Sequence, residues 1–138
     1  MSGFEIRGID HVVVRVNDLE RSLAFYCGAL GCVEERRIDE VGLVQLRAGA
    51  SLIDLVDATA PLGRAGGPPP SAQGRNMDHF AVELAAFDED EIREHLAAYG
   101  VEAGDVAERY GARGNGPSIY IQDPDGNVVE LKGPPSGE

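Results

Sequence analysis

The sequence predicts an α+β fold made of two similar halves. Three observations carry this: a repeated Asp-His dipeptide, a repeated strand with a carboxylate at its centre, and a Gly/Pro-rich stretch between the repeats. Asp10-His11 leads into VVVRV and Asp78-His79 into FAVEL, an offset of about 68 residues. At 138 residues the chain is one compact domain or two small halves sharing a core.

The first half spans residues 1–57. Ile6–Val16 begins with Gly8-Ile9-Asp10-His11 and continues as VVVRV, a strand by its β-branched content, with His11, Val13 and Arg15 on one face and Val12, Val14 and Val16 on the other. Asp18 is a good N-cap for a helix near Leu19–Leu30, whose apolar residues recur at helical spacing before Gly31 stops it. The charged run Glu34–Glu40 reads as either an edge strand or a loop. Leu43–Arg47 and Ser51–Val56 are strands. Residues 58–75 form a linker, densest in Gly and Pro over Pro61–Arg75 and expected to be extended.

The second half, residues 76–138, restarts the pattern. Asp88 caps a helix near Glu89–Tyr99, with Glu91 completing a capping-box-like pair. Gly111–Pro117 holds three glycines and suits a mobile loop. Ser118–Gln122 and Val128–Lys132 then form a hairpin about the loop Asp123-Pro124-Asp125-Gly126-Asn127. In its second strand Val129 and Leu131 share one face, and Val128, Glu130 and Lys132 the other.

Composition narrows the partners. A net charge of −12 argues against nucleic acid or an anionic membrane, since both need clustered Lys and Arg. Two cysteines without a CxxC pair give no disulfide framework, so a cytoplasmic location is the default. No apolar N-terminal segment and no membrane-length apolar run are present. A sheet of this size with a long linker leaves edges to cover, so a homodimer is expected.

Glu130 sits mid-strand between apolar neighbours, where a carboxylate is costly unless paired or coordinating. Overlaying the halves places Val129-Glu130-Leu131 on Ile53-Asp54-Leu55. His11 and Asp54 in one half thus match His79 and Glu130 in the other. A lone His at a strand start is more often a satisfied polar group than a ligand. Repeated halves, however, commonly pair about a pseudo-twofold axis, and two imidazoles with two carboxylates converging there would make a divalent metal site.

The pieces Asp10-His11, LAFYCGALG, Asp78-His79 and DPDGNVVEL together resemble the vicinal oxygen chelate superfamily of glyoxalases, bleomycin-resistance proteins and extradiol dioxygenases. The resemblance implies two paired βαβββ modules forming a curved sheet around a metal-binding cleft. It implies metal ligands at His11, His79 and Glu130, with a variable fourth at Asp54, where glyoxalase I typically has a longer Glu. Arg15, on the His11 face, suits a substrate carboxylate through its planar fork, and glyoxalase I has an Arg at the same offset contacting glutathione. The Asn that usually follows the first carboxylate by four is Ala58 here, which argues against plain glutathione adducts. Tyr120 and Gln122 share an alternating face and would orient substrate if that face lines the cleft.

The resulting expectation is a metal-dependent, glyoxalase-like lyase or isomerase acting on a small hydroxy-carbonyl substrate. Glu130 is the first candidate base and Asp54 the second. Mixed N/O ligation suits Ni²⁺, Co²⁺, Mn²⁺ or Zn²⁺. One alternative is an extradiol-type dioxygenase, with Fe²⁺ on His11, His79 and Glu130. Another is a drug-sequestering protein of the bleomycin-resistance type, whose cationic ligand would suit the acidic charge. A fosfomycin transferase is least favoured, because the basic cleft a phosphonate needs is not evident.

Overall fold

The computed structural model describes residues 3–136. Strand β1 (His11–Val16) buries Val14 and Val16. Asp18 then caps helix α1 (Leu19–Leu23) by accepting from the Arg21 backbone N–H at 3.1 Å. The helix continues as a wide π-helical segment, Ala24–Ala29, and the chain turns at Gly31 with φ 78°. The Tyr99 ring lies close over Gly28, where a Cβ would come within 2.9 Å of it.

β2 (Val33–Ile38), β3 (Leu43–Ala48) and β4 (Ser51–Asp57) follow. The charged run is therefore an edge strand, nearly all exposed. The linker begins with one short helix, α2 (Pro61–Arg64). The second half repeats the plan with β5 (Phe80–Glu83), α3 (Glu89–Ala97), β6 (Ala107–Gly111), β7 (Gly114–Gln122) and β8 (Val128–Lys132). Asp88 caps α3 through the Glu91 N–H at 3.1 Å.

Each half forms a four-stranded mixed sheet of the same topology, β1-β4-β3-β2 and β5-β8-β7-β6. In both, the first strand pairs in parallel with the last, and the other pairings are antiparallel. These are two paired βαβββ modules in a curved, unclosed arrangement. Alternation sends Val14, Leu46, Ile53, Leu55, Ile119, Val129 and Leu131 into one core shared by both modules. The opposite sheet faces carry the polar residues that matter for chemistry.

Two sequence expectations are revised here, and one strand is added. α3 ends at Ala97, two residues short of Tyr99, and its last turn closes at Gly100 with φ 72°. Strand β6, AERYG, lacks a readable alternation and had no sequence signal. Gly111–Pro117 is not a mobile loop but the body of the β6–β7 hairpin, in register Gly111↔Gly114 and Glu108↔Pro117. Glycine serves close approach there. A Cβ at Gly116 would lie 2.5 Å from the Pro134 carbonyl oxygen.

The DPDGN loop joins the modules. The buried Asp123 carboxylate accepts from the Asp125 and Asn127 backbone N–H groups, the Asn127 side chain and Tyr26 Oη, all at 2.8–2.9 Å. Asp125 accepts in turn from the backbone and side chain of Asn17. Burial and the Asp123 charge push the Tyr26 phenol well above its ordinary value.

Candidate metal centre

The two Asp-His dipeptides adopt the same local geometry. His11 Nδ1 lies 2.8 Å from Asp10 Oδ2, and His79 Nδ1 lies 2.6 Å from Asp78 Oδ2. Each preceding carboxylate thus fixes Nδ1 as the protonated nitrogen and leaves Nε2 as the donor toward a metal, the arrangement that orients ligating histidines. The Asp10 hydrogen bond, with help from the Asp54 charge, also raises the His11 pKa above its ordinary value.

In the first module His11 and Asp54 share a face, since Val13 is the register partner of Asp54 across β1 and β4. Asp54 is 4% exposed. Its Oδ2 accepts from Gln45 Nε2 at 3.1 Å, and Gln45 Oε1 accepts from Arg36 at 3.1 Å. Its Oδ1 is buried with no hydrogen-bond partner. An orphaned carboxylate oxygen costs free energy that a cation would recover.

In the second module Glu130, 7% exposed, has its Oε1 3.2 Å from His79 Nε2. Tyr120, the register partner of Glu130, packs edge-on to the His79 ring at 5.3 Å between centroids. Arg109 lies over the Tyr120 ring, its guanidinium carbon 4.4 Å from the ring centre, and donates to the Ser118 hydroxyl at 2.8 Å. Tyr120 therefore stands beside the candidate base. Gln122, on the same strand face, is exposed.

Within one chain these four groups form two pairs. Among the described residues, no three His, Cys, Asp or Glu side chains gather as a metal cluster. The convergence expected of His11, Asp54, His79 and Glu130 is not made inside a single copy. Arg15 reaches the linker: it donates to Gly67 O at 3.0 Å, Gly63 O at 3.4 Å and Asn76 Oδ1 at 3.3 Å, with its stem against Gly66. The linker is thereby wrapped around Arg15 rather than extended.

Two further cations on the second sheet's polar face, Arg109 and Lys132, were absent from the sequence-based site. The alternation that placed Glu130 placed Lys132 beside it. Arg109 could not be found because β6 carried no pattern. His95 hydrogen-bonds the Ala29 carbonyl at 2.8 Å, at the end of the wide helical turn, and is structural.

Residues 8–131 match the model of the glyoxalase/bleomycin resistance protein/dioxygenase superfamily. A virulence protein of Salmonella typhimurium superposes with TM-score 0.74 at 25% identity, covering 95% of this chain and 99% of that one. A fosfomycin resistance protein, FosX, from Listeria monocytogenes superposes with TM-score 0.67 at 26% identity, covering 93% and 90%; that structure is of a mutant complexed with Mn(II) and dihydroxypropylphosphonic acid. A protein of Bacillus anthracis described as glyoxalase family shares the fold, with TM-score 0.69 at 24% identity over 97% and 99% of the chains. With the duplicated modules and the polar pairs on their sheets, the match over nearly the whole chain means that this protein belongs to the glyoxalase/bleomycin resistance protein/dioxygenase superfamily.

Proposed function

We propose that this protein is a metal-dependent lyase or isomerase acting on a small hydroxy-carbonyl substrate, with its metal centre assembled from two copies. One copy would contribute His11 and Asp54, and the other His79 and Glu130. The single observation that carries the reading is the pair of matched half-sites. Each has a histidine held through Nδ1 by the preceding Asp, and each has a buried carboxylate on the last strand of its module. β1 and β5, which carry or follow the histidines, are both sheet edges, so each is open to pairing with another copy.

Two imidazoles and two carboxylates suit Mn²⁺, Ni²⁺, Co²⁺ or Zn²⁺, and Mn(II) is the ion in the FosX complex. Such an ion supplies charge stabilisation at two adjacent substrate oxygens. Glu130 is the base that moves a proton between neighbouring carbons. Its Oε1 stands 3.2 Å from His79 Nε2, the other ligand atom of that half-site, and Tyr120 packs on the His79 ring. The Gln45 amide holds Asp54 in place, with its second oxygen left for the cation. Arg15 is tied to the linker and Ala58 stands where an Asn would help hold glutathione, so a substrate other than the methylglyoxal–glutathione hemithioacetal is favoured.

The test is a metal-by-substrate matrix on apo protein reconstituted with each ion, assayed anaerobically and in air. Isomerase or epimerase turnover of a hydroxy-carbonyl compound with Mn²⁺, Ni²⁺ or Co²⁺, and weak turnover of the hemithioacetal, is expected. Activity only with Fe²⁺ and only in air would transfer the assignment to a dioxygenase. No activity together with tight binding of a cationic glycopeptide would transfer it to a sequestering protein.

A further inference from the structure

Lys132 stands two residues beyond Glu130 on β8, on the same face of the sheet, and is only 8% exposed. Its Nζ donates to the carbonyl oxygens of Gly114 at 3.1 Å and Gly133 at 3.4 Å. Among the described residues no carboxylate lies within ion-pairing distance of it. A buried ammonium facing only carbonyl dipoles is costly, because water solvates it better than they do.

The backbone nevertheless makes room for it. The side chain runs over Gly111 and Gly116, where a Cβ would approach its Cε to 3.3 Å and its Nζ to 3.0 Å. Among the described residues Glu83 is the register partner of Lys132 across β5 and β8, yet it makes no ion pair with it. Glu130 and Lys132 both line one cavity of about 160 Å³, with Ala81, Gly111 and Arg113. Glu83 is in the same wall, but its carboxylate faces Arg113 Nε at 3.2 Å. Residues two apart on a strand are separated by about 7 Å.

We propose that Lys132 anchors an oxyanion of the substrate. The substrate is then a short hydroxy-carbonyl compound with a carboxylate or phosphoryl group a few carbon atoms from the oxygens held near Glu130. This substrate class rests on the metal-centre reading, whereas the anion site itself does not. The ligand brings the ion pair that Lys132 lacks among the described residues, and neutral analogues leave the ammonium on carbonyls alone. Discrimination by an unmatched buried group is stronger than discrimination by shape.

Two arms test it on the full chain. In the metal-free protein, inorganic phosphate and acetate are titrated while the side-chain ammonium resonance of Lys132 is followed by NMR. A saturable shift with either anion supports the anchor and shows which oxyanion it prefers; no shift with either overturns it. In the Mn²⁺-loaded protein, dihydroxyacetone, its phosphate ester and hydroxypyruvate are compared by calorimetry. The preferred anionic probe should bind about tenfold or more tighter than dihydroxyacetone. Lys132→Met should erase that preference and leave Mn²⁺ and dihydroxyacetone binding unchanged, while Lys132→Arg keeps it. A preference that survives Lys132→Met overturns the proposal. Failure of the wild type to bind Mn²⁺ would defeat the metal-centre reading alone, and the phosphate and acetate arm would still decide the anchor.

Discussion

At each histidine the decisive neighbour is the residue before it in the chain. Asp10 and Asp78 hold Nδ1 at 2.8 and 2.6 Å, yet both carboxylates are mostly exposed, at 90% and 83% of the side chain. Solvent screens such bonds. Asp78→Asn and Asp10→Asn should therefore cost metal affinity at the lower end of the range for outer-shell partners, about tenfold. Glu130→Ala and His79→Ala should lose most of the affinity and melt lower in the presence of metal, with Asp54→Ala milder. Titration calorimetry with Mn²⁺ measures all five, and wild-type affinity in Glu130→Ala, His79→Ala and Asp54→Ala together would rule out the ligand set. Cys32 gives an independent pH prediction. Burial raises its thiol from 9.0 to about 11, so the folded chain keeps a proton that the unfolded chain releases between those values. Stability should fall as pH rises from 9 towards 11, read by urea midpoints across that window.

Among the elements, the DPDGN loop joins the modules and the β6–β7 hairpin seats the C-terminal segment. Tyr26 reaches from the helix of one module to Asp123 of the other, which has three further donors. Tyr26→Phe removes one of several bonds to a buried carboxylate. The expected loss is about 1 kcal/mol in chemical denaturation, with the fold retained. Gly116→Ala is a harsher change, because its new Cβ would meet a backbone oxygen that cannot swing aside. A loss of about 1–3 kcal/mol is expected, measured in the same way, and an unchanged midpoint would show that the C-terminal segment does not hold its place over the hairpin.

For the whole molecule, a centre divided between copies makes a prediction that one within a single copy does not. His11→Ala and Glu130→Ala each disable both centres of a homodimer. Mixed and refolded together, they yield hybrids in which one centre has all four native ligands and the other lacks two. Metal binding and turnover should therefore reappear on mixing, to about a quarter of wild type if subunits associate at random. Light scattering should show a dimer. No recovery, with exchange of subunits demonstrated, would put the centre inside one chain.

The sequence by itself determined the two modules, the order of most elements and the face on which each polar group lies. Those follow from short-range rules: strand alternation, caps such as Asp18 and Asp88, and turn residues in DPDGN. It also nominated His11, Asp54, His79 and Glu130, because the repeat aligned them and an unpaired carboxylate in an apolar strand asks for a partner. Tertiary structure alone decided which of them meet, since proximity across modules depends on packing that no local pattern encodes. It turned Arg15 toward the linker, where carbonyls of Gly63 and Gly67 capture the guanidinium. It made hairpin backbone of the glycines expected to be mobile, because there the absent side chain leaves space for Lys132 and the C-terminal segment. It also buried Lys132 against the Gly114 and Gly133 carbonyls, with no ion pair to it among the described residues, which no local pattern could reveal.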